Sequence, residues 1–269
     1  MDLLIGYILQ ILSGAGVIVL FGLIISGLRL AFCTVSGRCG SRILLLTGIV
    51  GTPVHELSHA LMCLIFGHRI TEVKLYQPNS SDGTLGYVRH SYNKKNIFHQ
   101  IGNFFIGVAP ILIGGAVILI LLLLLLPDTF DTIVGEIESV SNNGVEDLSI
   151  TEFLGYIWTT ICAIFSPDNF SNWRGWVFLI LAVMIASHTE LSTADIKSGA
   201  KGFSFIALIL LGVDLILYIL IPDTLIAFTG AITSFAIILS AFLSISVLFL
   251  LVLLFIAIIL KSIGMIFTR

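Results

Sequence analysis

Long apolar runs separated by shorter polar segments dominate the chain. Six of them are long enough, alone or with their flanks, to cross the roughly 30 Å hydrocarbon core of a bilayer as helices. They are predicted at residues 3–28, 43–67, 101–126, 176–187, 203–221 and 225–260. The last run is longer than a bilayer is thick, so it must tilt, bend or project into water. The pattern therefore predicts an all-α polytopic membrane protein with about six transmembrane helices.

Two regions between these runs have patterns of their own. Residues 70–76 and 84–89 are β-type runs around a Pro-Asn-Ser-Ser-Asp-Gly turn cluster, which predicts a small membrane-associated β-hairpin at residues 70–90. A lone hairpin is marginal in water, so this one must lean on the membrane bundle. Residues 127–173 form an acidic loop, in which the apolar patch 153–165 is too short to span a bilayer and predicts an interfacial or bundle-packed helix.

Composition excludes several classes of protein. Hydrophobic residues make up 57% of the chain and charged residues 11%, whereas soluble domains carry about 25% charged residues. The net charge of −3 leaves no dense basic face for nucleic acid. Four cysteines are too few for a disulfide-stapled domain. Cys33 and Cys39 are expected either to form a disulfide across a short loop or to be two free thiols.

The distribution of charge predicts the orientation. Every charged residue of the acidic loop up to residue 173 is an acid: Asp128, Asp131, Glu136, Glu138, Glu146, Asp147, Glu152 and Asp168. Basic residues lie in the segments 69–95, 197–201 and 261–269, and cytoplasmic segments are the Lys/Arg-rich ones. We therefore expect a multi-pass plasma (inner) membrane protein with both termini in the cytoplasm. Arg29, Arg38 and Arg42 would then lie outside, against the rule.

The second apolar run contains His55-Glu56-Leu57-Ser58-His59. Histidines at i and i+4 lie on one helical face and can bind one metal ion, and the intervening Glu can act on a metal-bound water. Ionisable residues within a spanning helix are costly and mark functional sites by default. Gly51-Thr52-Pro53 precedes the motif and should loosen the helix there.

A catalytic zinc site takes a third protein ligand and keeps one position open. The segment after the fourth run supplies three chemically acceptable candidates, His188, Glu190 and Asp195. Asp195 has a second interpretation, because Ser192-Thr193-Ala194-Asp195 has the spacing of a helix capping box. His188 and Glu190 are otherwise expected to be solvated.

This arrangement resembles the site-2 protease family of intramembrane zinc metalloproteases. The resemblance covers residues 43–200 as a metalloprotease-like membrane core, with residues 1–42 and 201–269 as added spans. It implies that His55, His59 and Asp195 bind Zn²⁺ and that Glu56 is the general base and acid. It further implies that the hairpin holds an unwound substrate. Gly107-Val108-Ala109-Pro110 is similar to the family's Gly-Pro element.

The sequence thus predicts an intramembrane zinc metallopeptidase whose partners are the bilayer and a membrane protein or peptide substrate. Three alternatives stay open: a transporter that depends on Asp214, an inactive metal-binding partner of another membrane protein, and a zinc hydrolase that acts on a lipid amide. Asp214 lies in the fifth run and is otherwise expected to bond a Ser or Thr of the sixth. His68, His90 and His99 are expected to be solvated.

Overall fold

The structure is a computed structural model that describes residues 2–81, 83–142 and 150–264. Four helices are long and apolar enough to cross a membrane, and a fifth apolar helix is shorter. The described strands form one two-stranded hairpin. Many large apolar side chains face outward, as lipid-facing side chains do. The predicted fold class, an all-α membrane protein with a small hairpin, is confirmed.

The elements follow one another in a simple order. They are α1 (Leu3–Ile11), α2 (Val17–Ile65), β1 (Arg69–Lys74), β2 (Tyr87–Ser91), α3 (Ile97–Leu125), α4 (Pro127–Asn142), α5 (Ile150–Ile164), α6 (Pro167–Ser171), α7 (Trp173–Ala186), α8 (Thr193–Leu220) and α9 (Pro222–Ser262). A π-helical segment, Leu12–Gly16, joins α1 to α2 without a break.

The first two predicted spans belong to one helical run. No loop separates them, and the run is interrupted only by the non-helical backbone of Gly37, with φ 52° and ψ −131°. Glycine adopts this positive φ without the steric cost that other residues meet. We call the two parts of α2 the first segment (17–36) and the second segment (38–65). Cys33 and Cys39 flank this kink as free thiols, so the second of the two expectations holds.

The last helix runs parallel to the first. Gln10 of α1 bonds Thr229, near the start of α9, with its side-chain amide 3.0 Å from the Thr hydroxyl. Further along both helices, Phe32 and Ala257 share one buried cluster. The described starts of α1 and α9 therefore lie at one end of the bundle and the end of α9 at the other.

Helices α7 and α8 form one interrupted pass along α3. Ile185 and Thr189 lie beside Gly114, Asp195 and Gly199 beside Gly107, and Gly202 beside Phe104. Partner numbers rise as α3 numbers fall, so both helices run antiparallel to α3 and the break at residues 187–192 does not reverse the chain. The fourth and fifth expected spans are thus not a down-and-up pair. With one pass fewer, the described chain ends lie at opposite ends of the bundle, which corrects the expectation that both termini share one side.

The hairpin forms where the sequence predicts it. β1 and β2 pair antiparallel from Arg69 opposite Ser91 to Lys74 opposite Tyr87, with an irregularity between Ile70 and Glu72. The hairpin rests on the second segment of α2, because the Tyr76 hydroxyl donates to the carbonyl of Leu45 at 2.6 Å.

The acidic loop is largely helical and contains α4, α5 and α6. Its apolar patch lies in α5, which packs against the bundle: the Tyr156 hydroxyl donates to the carbonyl of Ala241 in α9 at 3.0 Å. Ile133 of α4 and Tyr156 belong to the main buried cluster. Of the predicted acids, Glu146 and Asp147 lie outside the described residues, as does Arg269.

The predicted limits of the metalloprotease-like core, 43–200, fall inside continuous helices. The lower limit lies within α2 and the upper limit within α8. Domain boundaries are usually found in exposed linkers that few contacts cross. These limits therefore divide one packed bundle and do not mark separately folded parts.

Candidate metal centre

The two histidines of the His-Glu-x-x-His motif face each other on the second segment of α2. They are one helical turn apart, so both rings leave the same face of the helix. The Nε2 atoms of His55 and His59 are 3.2 Å apart. Two nitrogens bound to one tetrahedral zinc ion at about 2.0–2.1 Å are separated by about 3.3 Å. The pair therefore already has the spacing of two zinc ligands.

Backbone carbonyls fix which nitrogen of each ring faces the cavity. The Nδ1–H of His55 donates to the carbonyl of His188 at 2.7 Å, and the Nδ1–H of His59 donates to the carbonyl of Ile106 at 2.7 Å. A carbonyl only accepts, so each Nδ1 carries the proton and each neutral ring has a bare lone pair on Nε2. Metal-binding histidines are oriented in the same way by hydrogen bonds from their other nitrogen.

Both carbonyls are available because a helix is interrupted near them. Pro110 has no backbone N–H, so it offers no helical hydrogen bond to the carbonyl of Ile106 four residues earlier. His188 lies in the break between α7 and α8, where no helix continues to use its carbonyl. The role of Ile106 was missed at the level of sequence, although the Gly-Val-Ala-Pro element was its signal.

Asp195 completes the group. Its Oδ1 lies 3.3 Å from His59 Nε2, and its Oδ2 lies 4.0 Å from His55 Nε2. His55, His59 and Asp195 thus offer three ligand atoms that lie within 4.8 Å of one another. The capping box is also present, since Asp195 Oδ2 accepts the backbone N–H of Ser192 at 2.8 Å. The cap fixes the carboxylate at the first turn of α8 and leaves Oδ1 directed at the histidines.

The other two candidates for the third ligand have different partners. The ring of His188 turns toward α2, where its Nε2 lies 3.0 Å from the Thr47 hydroxyl. Glu190 forms an ion pair with Arg29. Neither is a solvated residue, as expected for them outside a metal role: His188 is buried and the Glu190 side chain is 27% exposed. Arg29 also lies inside the bundle beside the break and not in an outer loop.

Close packing of small residues sets the position of Asp195. A Cβ on Gly107 would lie 2.5 Å from the carbonyl oxygen of Asp195, and a Cβ on Gly202 would lie 2.1 Å from the backbone nitrogen of Phe104. These residues let α3 and α8 approach backbone to backbone. Ser198 of α8 adds a hydrogen bond to the buried side chain of Asn103, at 3.4 Å. We call this contact line the α3–α8 seam.

Glu56 lies between two adjoining cavities. One has a volume of about 460 Å³ and is lined by all three ligand candidates and the strand β2, and the other, about 230 Å³, reaches Arg29 and Glu190. The carboxylate chain of Glu56 is buried and packs under Gly86, where an added Cβ would lie 2.7 Å from Glu56 Cγ. The general-base candidate, the ligands and the hairpin therefore share one cavity wall.

Asp214 lies away from this centre. It is fully buried between α1, α8 and α9, and its Oδ1 accepts a hydrogen bond from Gln10 Nε2 at 2.9 Å. The same amide donates to Thr229, so Gln10 bridges Asp214 to the last helix. The expected direct bond from Asp214 to a Ser or Thr of that helix is replaced by this bridge.

The expectation that His68, His90 and His99 are solvated is wrong for the first two. His68 is 3% exposed, and its Nδ1 lies 3.0 Å from His90 Nδ1. The cause is the hairpin, which folds β2 back over the end of α2. Cys63 lies beside this pair and forms a second group of possible ligands with it.

Comparison with known proteins adds no relative to this picture. No protein-family model, no curated protein and no solved structure matches the chain. The molecule is, on its geometry, a helical membrane protein in which His55, His59 and Asp195 form a group able to hold a metal ion.

Proposed function

We propose that the protein is an intramembrane zinc metallopeptidase of the site-2 protease type. The observation that carries the proposal is the pair of bare Nε2 atoms, 3.2 Å apart, with a carboxylate oxygen 3.3 Å from one of them. Two lone pairs at this distance repel each other unless a cation or a proton lies between them. Two imidazoles and one carboxylate with an open fourth position form the ligand set of catalytic zinc.

The chain's own residues supply the rest of the chemistry. Zinc at this site would act as a Lewis acid that activates water and polarises the scissile carbonyl. Glu56 accepts the proton of the attacking water and passes it to the leaving amine. The enclosure of Glu56 by Gly86 and Thr52 keeps bulk water from competing for that proton.

The substrate proposed is an unwound segment of a membrane protein. A transmembrane helix hides its peptide bonds in internal hydrogen bonds, so cleavage requires an extended segment. β2 pairs with β1 along one edge only in the described hairpin, and Thr84, Gly86, Tyr87 and Val88 line the larger cavity. An extended peptide can add to the other edge of β2 by main-chain hydrogen bonds.

The cavity would open toward the cytoplasm of a plasma (inner) membrane. The hairpin and the start of α8 carry Arg69, Lys74, Arg89, Lys197 and Lys201, whereas α4 to α6 at the opposite end of α3 are acidic. In this orientation the start of α1 is cytoplasmic and the end of α9 is outside.

The test combines metal content with hydrolysis. Elemental analysis of the detergent-purified protein should give one zinc fewer per chain in His59→Ala and Asp195→Ala than in the wild type. His188→Ala is the matched control and should keep its zinc, because its ring faces Thr47 and not the ligand group. Unchanged zinc in the first two variants would refute the site.

Hydrolysis separates the proposal from its rivals. The probe is a set of fluorescently labelled single-span peptides in liposomes that contain the protein. Glu56→Gln should keep the metal and lose about 10²–10⁴-fold in cleavage rate, since it removes the proton-transfer group alone. A metal-loaded wild type that cleaves no peptide but hydrolyses a lipid amide would point to the lipid alternative. Biological activity that survives Glu56→Gln would point to an inactive metal-binding partner.

A further inference from the structure

A second group of metal-ligating side chains lies where the hairpin meets α2. Cys63 comes from the last turns of α2, His68 from the turn that follows, and His90 from β2. Their ligand atoms lie within 4.8 Å of one another, and Cys63 and His68 are buried. None of the three belongs to the ligand group of His55, His59 and Asp195.

One ring of this group is fixed with its lone pair toward the others. The Nε2–H of His68 donates to the carbonyl of His99 at 2.9 Å, so Nδ1 carries the lone pair. That Nδ1 faces His90 Nδ1 at 3.0 Å. In the metal-free protein the Nδ1–H of His90 can donate to His68, and replacing this proton by a cation leaves both rings where they are.

The surroundings hold His68 in place from several sides. The ring of Tyr92 stacks on it with centroids 4.7 Å apart and an angle of 13° between the planes. Gly67 turns the chain from α2 into the hairpin with a φ of +69°. A Cβ on Gly102 of α3 would lie 3.2 Å from His68 Nε2, so α3 packs closely behind the ring.

Charge favours a cation here over a protonated pair. Burial lowers the pKa of both His68 and His90, and the neighbouring His68 lowers the pKa of His90 further. Both rings are therefore neutral at pH 7 and offer lone pairs, as metal binding requires. Among the described groups of three or more metal-ligating side chains, this is the one that contains a sulfur ligand.

We propose that Cys63, His68 and His90 bind a second divalent metal ion of the zinc class, which fastens β2 to the end of α2. One thiolate and two imidazoles suit zinc and disfavour calcium or magnesium, which take oxygen ligands. Binding releases the thiol proton of Cys63 to solvent. His90 also lines the larger cavity, so the ion would hold the strand that forms the cavity wall.

Cobalt distinguishes the two sites directly. Co²⁺ replaces Zn²⁺ in such sites, and a Co²⁺–thiolate bond gives a near-ultraviolet charge-transfer band that a site of two histidines and one aspartate lacks. The wild-type protein loaded with Co²⁺ should show this band and bind two ions per chain. Cys63→Ser should bind one ion and lose the band, whereas Cys162→Ser, which removes an exposed thiol, should keep both.

The second site has its own pattern of failure. His59→Ala should lose one ion but keep the thiolate band, and His90→Asn should lose the band but keep the ion bound at the catalytic group. A wild type without the band, or a band that survives Cys63→Ser, would overturn the second site. Loss of the band with all His59 variants unchanged would instead overturn the proposed catalytic site.

Hydrogen exchange tests the fastening role without a cysteine substitution. In the full-length His59→Ala protein, removing the remaining ion with a chelator should speed amide exchange in residues 87–91 at least several-fold. His90→Asn should exchange at the fast rate with or without chelator. Equal exchange before and after metal removal in His59→Ala would show that no ion holds β2.

Discussion

The Nδ1 atom of His55 and the carbonyl oxygen of His188 are joined by a 2.7 Å hydrogen bond. This bond connects the motif on α2 to the break between α7 and α8. It fixes the tautomer of one proposed ligand, and the same break supplies Asp195 a few residues later. The shape of the break therefore controls both the orientation of His55 and the position of the carboxylate.

Gly51 allows the break to approach α2, and Gly51→Ala should disturb the site. The added Cβ would lie 2.2 Å from the Met184 carbonyl and 2.5 Å from the His188 ring, and the carbonyl belongs to α7 and cannot turn aside. We expect about 1–3 kcal/mol lower stability and about 10–100-fold weaker metal binding. Thermal unfolding and metal titration measure both.

Gly27→Ala is the matched control in the same helix. A Cβ there would meet no atom within 4 Å, so the change should be neutral or should stabilise by up to about 1 kcal/mol. Equal effects of the two substitutions would show that the close approach at Gly51 is unimportant.

Gly86→Ala should slow hydrolysis and spare the metal. The new Cβ would lie 2.7 Å from Glu56 Cγ and 2.8 Å from Thr52 Cγ2, so it must displace the proposed base or the hairpin. Because Gly86 touches no ligand candidate in this way, zinc content should stay at the wild-type value. Peptide cleavage should fall at least 10-fold, and Gly212→Ala, which meets no atom within 4 Å, should leave it unchanged. Wild-type cleavage by Gly86→Ala would contradict the proposed placement of Glu56.

The Arg29–Glu190 ion pair should contribute a measurable coupling energy. The two side chains are 28% and 27% exposed, so solvent screens the pair only in part. A double-mutant cycle with Arg29→Met and Glu190→Gln should give about 1 kcal/mol of coupling in thermal stability. Each single variant should be less stable than the double variant's additive expectation requires. A coupling energy of zero would show that the pair does not hold the break against the first segment of α2.

Asp214→Asn should leave peptide hydrolysis and metal content unchanged. Asp214 lies in the Gln10–Thr229 bridge, and an Asn carbonyl can still accept the hydrogen bond from Gln10. Asp214→Leu removes that acceptor in a buried position and should lower stability by about 1–3 kcal/mol. If Asp214→Asn abolished the biological activity while Glu56→Gln preserved it, the transporter alternative would replace the peptidase.

Local spacing explains what the sequence could predict. The face shared by His55 and His59 follows from helix geometry alone, and the hairpin follows from two β-type runs around a turn cluster. The capping box at Ser192 is likewise a local pattern, and the structure contains it. These features need no knowledge of how distant segments pack.

The path of the chain across the bundle could not be predicted in the same way. The segment 187–192 has the composition of a loop whether or not the chain reverses there, and only the contacts along α3 show that it does not. Residues around Gly37 also read as a loop, yet helix continues on both sides of that residue. Local patterns do not specify the directions of neighbouring helices.

Long-range pairing hid the remaining polar contacts. Arg29 and Glu190 are far apart in sequence, and so are Cys63 and His90, so no spacing rule connects them. The burial of His68 depends on the hairpin folding over it, which a pattern of single residues does not reveal.

The α3–α8 seam has a consequence for how the proposed metal site can vary. Two ligand candidates stand on α2 and the third on α8, whose separation from α3 is limited by Gly107 and Gly202. Any side chain at either glycine widens that separation and carries Asp195 away from a histidine pair that itself stays intact. The affinity of the site is thus set in part by two residues that have no side chain and give the metal no ligand.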